Sequence, residues 1–114
     1  MIPPDPIERF RGVYALVEKI DRSILPEPSA MALGTVAEHG GPSVRIVLLK
    51  GFDERVAKYE KEFEGKAVPR PEYWSGFRVW PERIEFWKGK PNRLHERHLY
   101  TRDGDGWLIE TLYP

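Results

Sequence analysis

The sequence predicts an α+β domain that is mainly β, and three observations carry that expectation. Gly (10) and Pro (11) make up 21 of the 114 residues, against roughly 12% in average usage, so the chain turns often. Apolar residues recur at helical spacing in only two stretches, one near the N-terminus and one in the middle. The remainder is a series of short β-branched or aromatic runs bounded by Gly, Pro, Asn and Asp. Length and composition agree with one soluble globular unit, because 114 residues with 40% hydrophobic and 32% charged side chains suffice for one modest core. A single domain over 1–114 is therefore expected.

Asp5-Pro6-Ile7-Glu8 is a helix start, with Asp5 as N-cap, Pro6 at the first helical position and Glu8 at the third. Ile7, Phe10, Val13, Tyr14, Val17 and Ile20 follow on one face, which predicts a helix over about 6–21. Leu25-Pro26-Glu27-Pro28 ends it in an extended linker. Residues 30–37 read as a short buried strand, His39-Gly40-Gly41-Pro42 as a turn, and residues 43–51 as the return strand of an antiparallel hairpin. A second helix is expected near 54–65, where Val56, Tyr59 and Phe63 share a face. Glu54–Lys58, Lys58–Glu62 and Glu62–Lys66 form i,i+4 pairs on its solvated side. Phe77–Trp80, Arg83–Lys88, Arg93–Arg102 and Trp107–Leu112 then read as strands of a meander. Its last two turns are Gly89–Asn92 and Asp103-Gly104-Asp105-Gly106.

Several function classes are disfavoured at once. Lys+Arg and Asp+Glu both count 18, and this balance argues against a mainly electrostatic nucleic-acid binder. No apolar run approaches the roughly 20 residues of a membrane span. Residues 1–10 lack a basic segment followed by an apolar one, so no secretory signal and a cytoplasmic protein are expected. Cys is absent, which removes disulfides, thiolate catalysis and Cys-based metal sites. No metal-ligand spacing, nucleophile elbow, P-loop or dinucleotide-binding glycine motif occurs.

The segment that best suggests chemistry is Arg93-Leu94-His95-Glu96-Arg97. In a strand, alternation would put Arg93, His95 and Arg97 side by side, with Leu94, Glu96 and His98 opposite. Two guanidiniums flanking an imidazole suit a phosphate or carboxylate. A solvated face with cross-strand ion pairs is the other reading of the same pattern. Arg45 and Lys50 flank the apolar run Ile46-Val47-Leu48-Leu49 and are the remaining cationic candidates. Four Trp are a heavy aromatic load. Trp87 alternates away from Phe86, so one of that pair should face away from the main core.

These residues carry a resemblance. Ala30–Val36 and Gly41–Gly51 resemble the N-terminal half of the pyridoxamine 5′-phosphate oxidase family. Trp74–Val79, Pro81–Trp87, Arg93–Arg97 and the terminal Asp105-Gly106-Trp107 with Leu112-Tyr113-Pro114 resemble its C-terminal signature. The resemblance implies an FMN-binding split β-barrel, a homodimer with FMN at the interface, and the oxidation of pyridoxamine or pyridoxine 5′-phosphate to pyridoxal 5′-phosphate. Oxygen is the acceptor in this reaction of vitamin B6 salvage. Carried over, Arg45, Ile46, Val47, Leu48 and Lys50 would line FMN, and Trp87 and Arg97 would contact the flavin. Arg93 and His95 would hold the substrate beside it as the catalytic pair, with Leu94 and Lys50 also on the substrate side.

The chain departs from the family pattern in one large way. Residues 1–54 resemble the N-terminal part and residues 55–114 the C-terminal part, but roughly eighty family residues between them have no counterpart. The junction lies near Arg55. The lost part carries the family's Tyr-Thr, Arg-Lys and Gln-Ser groups for FMN, and its Tyr, Arg and Ser for the substrate phosphate. An incomplete barrel is therefore expected. Such a chain is a deletion form, a junction of two segments, or a short relative that completes its barrel by dimerisation. The alternative to an oxidase is a non-catalytic variant that dimerises, or binds flavin or pyridoxal phosphate, without turnover. Another flavin-dependent oxidase of the superfamily, such as one acting on a phenazine precursor, is a third reading.

Overall fold

The computed structural model describes residues 1–52 and 78–114. The expected helix near 54–65, the junction near Arg55, Trp74 and Phe77 lie outside the described residues. The chain divides into two compact units, and the division falls after Arg9. The described part of one unit comprises residues 1–9 and 78–114, and that of the other residues 10–52.

Helix α1 spans Pro6–Val17 and starts where local chemistry requires. Asp5 Oδ1 accepts hydrogen bonds from the backbone N–H of Ile7 at 2.8 Å and of Glu8 at 3.4 Å, which satisfies two donors that have no partner within the helix. The helix ends four residues earlier than its apolar period suggests. Glu18 still donates to Tyr14 O, but Lys19 and Ile20 donate to Leu16 O and Val17 O in a tightened last turn. Asp21 then takes the chain away, since its carboxylate accepts from Ser23 N at 2.7 Å and its carbonyl from Ile24 and Leu25 N. A side chain that bonds the backbone locally competes with helix continuation.

In the unit of residues 10–52, β1 (Ala30–Val36) and β2 (Pro42–Leu48) form an antiparallel two-stranded sheet. Ala30 pairs with Leu48 and Val36 with Pro42, and Leu49 N to Ser29 O at 2.8 Å adds one rung. The hairpin is as expected, but β2 stops at Leu48 rather than 51 and β1 is not buried. Only Leu33 and Val47 in the two strands are half-buried. One face consists of Ala30, Ala32, Gly34, Val36, Pro42, Val44, Ile46 and Leu48 by register, all exposed. Among the described residues no third strand joins this ribbon, and its apolar side chains on that face are exposed. Beyond the sheet, Phe10, Tyr14 and Phe52 form a ring cluster, with centroids 4.8 Å apart for Phe10–Phe52 and 5.7 Å for Tyr14–Phe52.

In the other unit, β3 (Arg83–Lys88), β4 (Glu96–Asp103) and β5 (Gly106–Leu112) form an antiparallel sheet with β4 in the centre. The turn from β4 to β5 is two residues long, and its first central residue, Gly104, has φ +57°, the left-handed conformation that Gly adopts freely. Residues 78–80 carry no strand. Pro81 follows them and cannot donate to a ladder. Trp80 instead covers Arg102, whose guanidinium lies 3.9 Å from the Trp80 ring centre and 4.4 Å from that of Trp107.

The core of this unit is the middle of β4, where His98, Leu99 and Tyr100 are buried in succession. Tyr100 is fully buried, with Phe86 edge-on at 5.6 Å. Its hydroxyl donates to Pro3 O at 2.7 Å and accepts from Arg9 Nη1 at 3.2 Å. The same Arg9 nitrogen lies 3.0 Å from His98 Nδ1, and the guanidinium sits 4.3 Å over the Phe86 ring. Phe86 therefore faces the core, while Trp87 beside it is 59% exposed. Among the described residues the five strands form two separate sheets, neither of them closed into a barrel.

Candidate functional site

Strand β4 begins at Glu96, not at Arg93. Arg93, Leu94 and His95 belong to the connection from β3, which contains a 3-10 turn over Pro91–Arg93. Asn92 and Arg93 have φ of 61° and 58°, so two successive non-glycine residues are left-handed. That conformation is uncommon for Arg and costs conformational energy. Strand alternation thus does not place Arg93 and His95 beside Arg97, and it does not put His98 on a face opposite His95. Both histidines line one open groove of about 520 Å³, together with Lys90, Glu96, Leu112 and Tyr113.

The turn itself brings some of the expected residues together. The His95 ring lies 4.6 Å from the Trp87 ring at a 41° tilt. Arg97 is the direct partner of Trp87 across β3 and β4, so their side chains share a sheet face. Arg97 Nε donates to Glu85 Oε1 at 2.6 Å, and its Nη1 donates to Tyr113 O at 3.1 Å. The hydrogen bond from Arg97 holds the Glu85 carboxyl below the usual carboxylate range, and Glu85 in turn raises Arg97. Arg93 is exposed and makes no such contact among the described residues.

A second set of contacts fixes the turn. Lys90 N donates to His95 Nδ1 at 3.3 Å, and Lys90 Nζ is 3.0 Å from Glu96 Oε2. That Lys90 hydrogen bond is the main cause of the lowered Glu96 carboxyl, and the charges of Lys90, His98 and Lys88 add to it. Glu96 Oε1 faces His98 Nε2 at 3.6 Å. Arg9 carries donors only, so its contact makes His98 Nδ1 an acceptor and leaves the proton on Nε2 when the ring is neutral. Alternation in the sequence did not single out Arg9, Lys90, Glu96, His98 or Tyr100. The one available signal was the opposite charge of Lys90 and Glu96 on either side of the turn.

The other candidates lie in the unit of residues 10–52. Arg45, Ile46 and Leu48 are exposed on β2, and Val47 is half-buried. Ile46 is 71% exposed. Lys50 lies just past the strand and lines a hollow of about 370 Å³ with Arg11, Tyr14, Glu18 and Phe52. Among the described residues no group of three His, Asp or Glu side chains could hold a metal ion. No helix among them is long and apolar enough to cross a membrane.

Comparison with known proteins agrees with this architecture. Residues 74–114 match the family described as pyridoxine 5′-phosphate oxidase C-terminal dimerisation region. The pyridoxine/pyridoxamine 5′-phosphate oxidase of Myxococcus xanthus strain DK1622 is 30% identical over 196 aligned positions, covering 100% of this chain and 94% of that protein. That alignment has 82 more positions than the chain has residues. The enzyme of the same name from Rubrobacter xylanophilus is 56% identical over 63 residues, which are 55% of this chain and 29% of that one. Among solved structures, PhzG from Burkholderia lata, in complex with tetrahydrophenazine-1-carboxylic acid, superposes with a TM-score of 0.68 at 19% identity. That match covers 98% of this chain and 94% of PhzG. The fold is accordingly of the split-barrel kind, with antiparallel sheets and an N-terminal helix. With these matches, the chain belongs to the pyridoxine/pyridoxamine 5′-phosphate oxidase family, as a member shorter than its relatives.

Proposed function

We propose that this protein binds FMN and oxidises pyridoxamine or pyridoxine 5′-phosphate to pyridoxal 5′-phosphate with oxygen as acceptor, as a cytoplasmic homodimer. The observation that carries the reading is the cluster at the β3–β4 turn, within a family member. There an exposed indole lies against an imidazole and shares a sheet face with one guanidinium, that of Arg97, and Arg93 sits in the adjoining turn. The donor set fits a flat anionic cofactor and a phosphorylated substrate. Trp87 offers an aromatic face, Arg97 a guanidinium held in place by Glu85, and His95 a ring nitrogen. Arg93 is an exposed cation in a turn that constrains its backbone. In the other unit, Arg45 and Lys50 are exposed cations suited to phosphate.

FMN, when bound, supplies the hydride-accepting chemistry. The chain's own residues orient and neutralise. Arg97, Trp87, Arg45 and Lys50, with the apolar Ile46, Val47 and Leu48, hold the cofactor. Arg93, His95, Leu94 and Lys50 hold the substrate, and cationic groups offset the charge of the phosphates. The testing experiment is an FMN titration of the purified chain followed by flavin fluorescence. Saturable quenching at low micromolar FMN supports the reading, and an oxidase assay then measures turnover. Arg97→Ala should weaken FMN binding by about tenfold or more, as expected for losing a charge-assisted hydrogen bond worth about 1.5–3 kcal/mol. Unchanged affinity would remove Arg97 from the flavin site.

A second reading is favoured by the 82 aligned positions that this chain lacks. It is a non-catalytic member that dimerises, or binds flavin or pyridoxal phosphate, without turnover. Absence of FMN binding in the titration selects it. The homodimer is supported by the description of the family region matching residues 74–114. A strictly monomeric species in light scattering would count against it.

A further inference from the structure

We propose that Lys90 and Glu96 are positioning residues that hold His95 as a hydrogen-bond donor through Nε2. The proposal deepens the reading of His95 as a ligand-holding residue and rests on it only for what the ring faces. The backbone amide of Lys90 has a proton and no lone pair to offer, so its 3.3 Å contact with His95 Nδ1 requires Nδ1 to accept. A neutral imidazole with one nitrogen accepting carries its proton on the other. His95 then presents Nε2–H. It can donate to an anionic oxygen of a ligand, and in that form it cannot take a proton at Nε2.

The donor amide is itself held in place. The Lys90 side chain is tied to Glu96 Oε2 at 3.0 Å, at the first residue of β4. The other carboxylate oxygen faces Nε2 of His98, which is buried and bonded through Nδ1 to Arg9. A polar chain thus runs from the buried middle of the sheet, through Arg9, His98, Glu96 and Lys90, to the half-buried ring of His95. Trp87 against the His95 ring, at 4.6 Å, restricts its rotation. Asn92 and Arg93, both left-handed, let the chain reverse so that Lys90 N reaches a ring five residues ahead.

Imidazole 15N NMR of the full chain, at a pH where histidine is neutral, reads this directly and needs no ligand. His39, 90% exposed at its side chain and 4.0 Å from the equally exposed Glu38 carboxylate, is the internal reference for a solvent-exposed ring. His95 should show a fully protonated Nε2 and an unprotonated Nδ1, whereas His39 shows averaged shifts. Glu96→Gln and Lys90→Ala should each move the His95 shifts toward those of His39, with the Tyr100 amide resonance unmoved as the sign of an intact sheet. Lys90→Ala alters only an exposed turn side chain, so it keeps the test open if Glu96→Gln unfolds the protein. Wild-type His95 shifts averaged like those of His39 would overturn the proposal. So would His95 shifts unchanged in the folded variants. Failure of the FMN titration leaves these shifts as they are, so the two readings fail separately.

Discussion

The two sheets differ in composition, and their burial runs opposite to it. The β1–β2 hairpin is rich in Ala, Val, Ile and Leu, yet none of its residues is fully buried. The β3–β4–β5 sheet has Arg, Glu and His throughout, yet its central strand holds three buried residues in a row. Apolar content alone does not make a core. A central strand is flanked on both edges, and here an N-terminal segment also covers one face through Pro3 and Arg9. Among the described residues the ribbon pairs with no third strand, and its face that includes Ala30, Ile46 and Leu48 is exposed.

The contrast is most easily broken by truncation. Tyr100→Ala should destabilise its unit by about 3–5 kcal/mol, the usual cost of emptying a buried aromatic site. Ile46→Ala, at an exposed position, should change stability by less than about 0.5 kcal/mol. Denaturant midpoints for the two variants check this, and similar losses would mean that the apolar face of the hairpin is covered in solution. Arg9→Met should have an intermediate effect. It removes one partner each from the Tyr100 hydroxyl and His98 Nδ1, and an unpaired buried polar group costs about 1–3 kcal/mol. Thermal melts would show it, and an unchanged melt would mean that water replaces the guanidinium.

The smallest expected effect is electrostatic. Glu85 and Glu96 both have lowered carboxyl pKa values, through Arg97 and Lys90 respectively. Their contributions are therefore complete above the ordinary Glu range near pH 4.3 and are lost as pH falls through and below it. Both pairs are solvent-accessible, so the loss is small. Glu85→Gln and Glu96→Gln should each flatten the acid side of the melting-temperature profile, leaving it less steep than in the unsubstituted protein. An acid limb identical in all three would show that neither pair contributes.

Local chemistry was legible in the sequence wherever a few adjacent residues decide the outcome. Asp5-Pro6 fixed the start of α1, and Gly104 the tight turn from β4 to β5, because both involve bonds within two or three residues. The bounds of β3 follow from its aromatic and β-branched run. The end of α1 is not legible in the sequence, because a helical period in the side chains does not reveal that Asp21 bonds its own neighbours. The site was legible as a set of residue types but not as an arrangement. Arg93 and His95 were expected on a strand, and the left-handed pair Asn92-Arg93 makes a turn instead.

The sequence by itself determined which segments turn and pair, and that Phe86 and Trp87 face opposite ways, because alternation and capping are properties of neighbours. It also determined the family, through motifs at both ends of the chain. Only the tertiary structure decided that Arg9 meets His98 and Tyr100, 89 and 91 residues away. It also decided that a polar strand forms the core while an apolar hairpin stays exposed. Burial depends on what covers a strand, and the covering groups come from elsewhere in the chain.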